Sequence, residues 1–180
     1  MDINWDELAS ALRLSTPKSQ AAGSDAACRA LEMILGEETL RAGVDYYIAK
    51  EPAYELVRSI LWLLHPSSAM ARCRELSMPP NRLATRRSAV ELLRVVADRR
   101  ALPWLSDFLN DEDGEIQTWG IGALDQLLFS ELIDAEEAEE LLQTAERHPN
   151  GAVREQAESI RSYLRARGES GGGDLKSDRV

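Results

Sequence analysis

Four acids crowd five positions near the middle of this chain: Asp111, Glu112, Asp113 and Glu115. Carboxylates at this density first suggest a hard cation. A calcium loop of the EF-hand kind takes oxygen ligands at its first, third and fifth positions, glycine at the sixth and a bidentate glutamate at the twelfth. Counted from Asp111, the first three ligand positions are filled by Asp111, Asp113 and Glu115, but Ile116 stands at the sixth and Gly122 at the twelfth. Both the turn residue and the principal ligand are missing, so the stretch predicts a solvated helix cap and no metal site. Asp113 is placed to be the N-cap, and Glu115 falls in the first turn, where negative charge complements the helix macrodipole.

The other reactive side chains form no recognisable constellation. His65 and His148 are the only histidines, and Cys28 and Cys73 the only cysteines. Neither histidine belongs to a paired-ligand spacing such as HExxH. Each cysteine stands among alanine and leucine, where it behaves as a small apolar residue, so no disulfide is expected. No GxSxG, P-loop or dinucleotide turn is present, and the Gly-rich run Ser170–Asp174 follows no strand. His65, just before Pro66, reads as the end of an apolar helix. The sequence therefore predicts no catalytic residue and no cofactor: a binding protein, not an enzyme.

Charge is the stronger signal. The net charge is −10, which weighs against a general nucleic-acid binder, whose phosphate contacts need concentrated positive charge. Residues 58–106 carry nine arginines against three acids, whereas residues 107–146 carry thirteen acids and neither lysine nor arginine. The basic set Arg82, Arg86, Arg87, Arg94, Arg99 and Arg100 is expected to pair with neighbouring acids. The longest apolar run, Ile60 to Leu64, is too short to span a membrane, and the acidic start lacks a secretion-signal pattern. These features predict a soluble cytoplasmic protein.

The elements that position these residues are all helical. Alternating strand patterns are absent, and Gly36, Pro52, His65-Pro66, Pro79-Pro80, Pro103 and Pro149-Asn150-Gly151 punctuate amphipathic stretches. The pattern predicts about eight helices of roughly 9–16 residues, with short connections and antiparallel neighbours, in one domain over residues 1–166. Residues 13–24 are expected to form a loop and 167–180 a disordered tail. Trp62, Trp104 and Trp119 are assigned to packing between helices, with Trp119 at an edge.

A spacing recurs along the chain. Ile116, Gly120, Ala123 and Leu127 stand at offsets 0, +4, +7 and +11, as do Val153, Ala157, Ile160 and Leu164, and Thr85, Ala89, Leu92 and Val96. Leu56, Ile60 and Leu63 fit the first three offsets. The small residue at +4 in the later units (Ala89, Gly120, Ala157) predicts a close helix crossing. Over Asp98–Leu128, with Ala101-Leu102-Pro103 opening one helix, an acidic turn and Ile116 opening the next, the chain resembles a HEAT repeat of the short, bilin-lyase-like type. Asn150-Gly151-Ala152-Val153-Arg154 repeats the turn and the Val-Arg entry, although Gln117 stands where that pattern has arginine. The resemblance covers residues 82–166 best and leaves 1–57 as a degenerate cap or extra units.

The resemblance implies an all-α solenoid of antiparallel helix pairs, with an extended surface suited to protein recognition. With the acidic stretch beside it, the expected partner is a basic protein, most concretely a toxin neutralised by an immunity-type protein of a bacterial cytoplasm. The expected contact residues are Arg87, Glu91, Asp107, Asp111, Glu112, Thr118, Trp119, Gly122, Asp125 and Glu131. Gly122 carries no obvious packing requirement and is read as a place where a partner approaches the backbone. Two competing expectations are a bilin-lyase-like enzyme or accessory holding a small ligand in the groove, and a HEAT-like reader of DNA lesions.

Overall fold

Proline, glycine and left-handed residues set the helix ends. The computed structural model describes residues 23–171, among which there are nine α-helices, one 3-10 helix and no strand. The elements are α1 (Gly23–Leu35), α2 (Glu37–Ile48), α3 (Tyr54–Leu64), α4 (Ser67–Ser77), α5 (Leu83–Val96), a 3-10 helix (Arg99–Trp104), α6 (Leu105–Leu109), α7 (Gly114–Phe129), α8 (Ala135–Glu146) and α9 (Gly151–Gly171). Gly36 separates α1 from α2 at a φ of 78°, which glycine adopts without strain. His65 closes α3 in the left-handed conformation, and Pro66 opens α4, where its missing amide proton costs nothing. Pro103 lies inside the 3-10 helix, so the short helix expected there divides into a 3-10 turn and the five-residue α6. Of the expected loop over 13–24, Gly23 and Ser24 belong to α1 and the rest lies outside the described residues. Helix α9 runs on to Gly171, and positions 172–180 of the expected tail likewise lie outside.

The chain divides into two compact units, Met1–Val96 and Ala97–Val180. In the first, α2, α3, α4 and α5 pack around Val44, Tyr47, Leu61, Met70, Cys73, Leu92 and Val96, all buried. Arginines lace α2 to α4: Arg41 meets Glu75 at 2.6 Å, and Arg72 meets Asp45 at 2.9 Å and Glu75 at 3.1 Å. Both guanidiniums hold Glu75 below the usual carboxylate range. At the end of α3 the His65 ring nitrogen Nδ1 is 3.1 Å from the Val96 carbonyl. Cys28 and Cys73 are free thiols, and burial pushes the Cys73 thiol far up.

One stripe in this unit departs from expectation. Leu56, Ile60 and Leu63 face outward, with 63%, 42% and 64% of their surface exposed, and Trp62 is 53% exposed. The inward stripe of α3 is the one a single residue further on, Val57, Leu61 and Leu64, of which Leu61 and Leu64 are fully buried against neighbours including α2. Leu56, Ile60 and Leu63 therefore do not act as a core stripe here, and Trp62 is not packed between helices.

The second unit behaves as its spacing predicts. Ile116, Gly120, Ala123 and Leu127 are buried, as are Val153, Ala157 and Ile160. Helix α6 packs on α7, α8 on α9, and α7 on α9. Gly120 marks the close crossing of α6 and α7: a Cβ there would stand 2.8 Å from the Phe108 Cβ and 3.5 Å from its backbone carbon. No helix among the described residues is long and apolar enough to cross a membrane.

Candidate partner-binding site

The acid cluster forms the turn between α6 and α7. Asp113 accepts the Ile116 N–H at 3.1 Å as N-cap, and Asp111 accepts the Asp113 N–H at 3.0 Å. Two of the four carboxylates therefore satisfy backbone amides that helix starts leave exposed. Gln117 then donates to the Asp111 carbonyl (2.6 Å) and accepts from the Asn150 side-chain amide (2.9 Å), which also reaches the Gly114 carbonyl at 3.1 Å. A neutral amide ladder thus joins the α6–α7 turn to the α8–α9 turn. His148 adds a second strut. Its Nδ1 accepts the Asn150 N–H (3.1 Å), so Nε2 bears the proton and donates to the Leu109 carbonyl (2.8 Å). Buried, with both ring nitrogens bound to backbone, His148 is a clasp and not a general base.

Beside the ladder lies a groove of about 550 Å³, bordered by Asp111 on one side and by Glu140, Gln143 and Arg147 of the α8 end on the other. Its α8 wall follows from amphipathic spacing. Ala138, Leu142 and Ala145 face the core, which turns Glu136, Glu140 and Gln143 (offsets 0, +4, +7) to solvent. The groove can hold a guanidinium or ammonium group between carboxylates and amide oxygens.

The acids of this unit divide into two sets. Glu139 takes a bidentate contact from Arg161 (2.6 and 3.0 Å), and the same guanidinium reaches Glu146 at 2.6 Å. Those bonds, with one from Gln143, pull Glu139 down to about 2. Glu137 pairs with Arg99 and Glu131 with Arg167, each at 2.6 Å, and Asp134 forms a reciprocal capping box with Glu137 at the start of α8. Exposed Glu112, Glu136 and Glu140, like Glu155 and Glu158 on α9, have side chains that make no hydrogen bond or ion pair among the described residues.

No family model, curated protein or solved structure matches this chain.

The predicted contact residues separate by unit and by helix end. Arg87 and Glu91 lie half-buried on α5 of the first unit, where Glu91 is 3.8 Å from Lys50. Burial, helped by the Glu91 charge, raises the adjacent Tyr47 hydroxyl to about 12, and the Lys50 ammonium rests 4.2 Å from the Tyr47 ring centroid. In the second unit Asp107 is exposed on α6, and Asp111 and Glu112 share the turn that borders the groove. Thr118, Trp119 and Gly122 are half-buried on α7, Thr118 donating to the Gly114 carbonyl at 2.8 Å. Asp125 accepts from Gln156 at 2.8 Å, and Glu131 lies beyond the far end of α7. A sixteen-residue helix is about 24 Å long, so Glu131 does not share the groove with Asp111.

Sequence reasoning missed Glu136 and Glu140. The outward stripe opposite Ala138, Leu142 and Ala145 was the available signal. Of the basic set, Arg99 pairs with Glu137, Arg100 pairs with Asp98 and Arg86 donates to the Ser77 carbonyl.

Proposed function

We propose that this chain is a non-enzymatic, HEAT-like binding protein of the cytoplasm whose second unit presents carboxylates to a cationic protein. Its most concrete role is that of an immunity protein occluding a basic toxin. The observation that carries this reading is the set Glu112, Glu136 and Glu140, exposed and without side-chain partners among the described residues, in a unit where Glu131, Glu137, Glu139 and Glu146 are already ion-paired. Acids already bonded to arginine offer little to a newcomer. Unpaired ones attract an approaching cation over about a Debye length, ~8 Å at physiological salt. Asp111 and Glu140 then border the groove that would receive an arginine or lysine side chain.

The HEAT-like part of the proposal draws support from the second unit. Two helix pairs, α6 with α7 and α8 with α9, pack through their repeat stripes, and the Gln117–Asn150 ladder connects their turns. The test is affinity capture from the native host with wild type and with a Glu112→Lys/Glu136→Lys/Glu140→Lys variant. The proposal predicts a basic protein recovered by wild type and lost by the variant. Equal recovery of the same proteins by both would remove it.

A further inference from the structure

We infer that the outward face of α3 joins two copies of this chain through their first units. An apolar helix face is ordinarily buried against a neighbour. Helix α3 is apolar well beyond the stripe its own unit covers: Leu61 and Leu64 are buried in the core, Glu55, Arg58 and Ser59 make a narrow polar side, and Leu56, Ile60, Trp62 and Leu63 remain 42–64% exposed. The exposed stripe has the 0, +4, +7 spacing that neighbouring helices cover in α7 and α9. Helix α1 extends the patch. Cys28 of α1 lies 3.7 Å from the Leu63 carbonyl, and Leu31 and Leu35, one and two turns along the same face, are 44% and 38% exposed.

Area and charge select a second copy as the occupant. The six side chains expose roughly 600 Å² on each molecule, so a symmetric pairing buries about 1,200 Å², the lower bound for a specific interface. Specific but weak association follows. The charges set into α3 are Glu55 and Arg58, which pair with each other at 3.3 Å and leave the face neutral. A cationic partner finds no complement there. A second copy does, since a two-fold axis sets the same apolar stripe against itself. Each copy carries a charge of −10, so the two repel at low ionic strength. Salt should therefore tighten this contact, whereas it weakens a contact between carboxylates and a cationic partner.

Sedimentation velocity on the full chain, over a concentration series and at two salt levels, decides it. Wild type should sediment as a monomer near ~1 µM and shift toward a dimer near ~100 µM, as a marginal interface implies. Raising sodium chloride from ~0.05 to ~0.5 M should strengthen the dimer severalfold. Leu56→Asp/Leu63→Asp should raise the dissociation constant at least tenfold with an unchanged helical spectrum, because both side chains already face water. Leu56→Ser/Leu63→Ser should do the same if the aspartate pair perturbs folding. A wild-type monomer at every concentration overturns the inference, and so does a dimer that survives both variants. Binding of an apolar-surface dye then separates the alternatives: a monomer that excludes the dye has the face covered within its own chain, residues 1–22 included, and a monomer that binds it leaves the face for an unrelated partner. Both outcomes contradict self-pairing, and neither bears on the acidic groove of the second unit.

Discussion

Among the described residues, ten large apolar side chains are exposed in the first unit, from Leu31 to Leu83, but in the second there are two, Phe129 and Leu132. The units share one device, an amphipathic helix with an aliphatic stripe at offsets 0, +4 and +7, and treat it in opposite ways. Helix α7 turns Ile116, Gly120 and Ala123 to the core, where the glycine lets Phe108 approach, and its further apolar residues Ile121, Leu124 and Leu128 are buried as well. Helix α3 buries Leu61 and Leu64 and still has a second aliphatic stripe to spare. Polar chemistry divides in the complementary sense. The second unit concentrates carboxylates on its surface and joins its turns through Asn150 and His148, whereas the first relies on arginine pairs between α2 and α4. The same spacing thus serves cohesion in one unit and leaves a sticky surface in the other, and only the surroundings of each helix decide which.

The sharpest way to break this comparison is to truncate the same register position in both units. Ile116→Ala should cost about 2–5 kcal/mol of stability, the range for deleting a buried aliphatic side chain. Leu56→Ala should stay within about 0.5 kcal/mol, as surface substitutions do. Urea unfolding of the two variants measures both, and comparable losses would place Leu56 in a core. Gly120→Ala comes next. Alanine gains about 1 kcal/mol of helix propensity over glycine, but its Cβ would meet the Phe108 Cβ at 2.8 Å, and overpacking of this sort costs about 1–3 kcal/mol. Net destabilisation is expected in the same assay; a stabilised variant would show that α6 and α7 can separate freely.

A pH series gives the smallest effect. Folding lowers Glu139 from an ordinary 4.5 to about 2, so the folded state binds this proton less readily than the unfolded one. The stability that follows is complete above about 4.5 and disappears as pH falls toward about 2. Glu139→Gln should therefore flatten the acid limb of unfolding over that window and leave neutral pH little changed, because an exposed ion pair contributes little there. An unaltered acid limb would show that the Arg161 contact does not hold α8 to α9 in solution.

Much of the fold was legible because its signals are local. Proline and glycine mark where a helix cannot continue, and Asp113 followed by Glu115 announces a cap, to which the Ile116 N–H donates. Gly120 was legible for a similar reason, since a costly residue in a helix interior implies a close neighbour. The register of α3 was not. Leu56, Val57, Ile60, Leu61, Leu63 and Leu64 offer two aliphatic stripes one residue apart, and periodicity gives no ground for choosing between them. The groove was half legible. Asp111 and Glu112 advertise themselves by density, but Glu140 joins Asp111 only because the α6–α7 and α8–α9 turns meet. The bonds that bring them together, such as His148 to Leu109, span 39 residues of sequence.

The central claim is that a few unpaired acids of the second unit, and not the overall charge of −10, select a cationic partner. Calorimetric titration with an arginine-rich peptide tests it directly, using the variant Glu112→Lys/Glu136→Lys/Glu140→Lys and a charge-matched control, Glu37→Lys/Glu38→Lys/Glu51→Lys, in the exposed part of the first unit. The account predicts affinity that weakens with salt, falls at least tenfold in the first variant and changes little in the second. Equal losses in the two variants would contradict it, because net charge alone would then account for the binding.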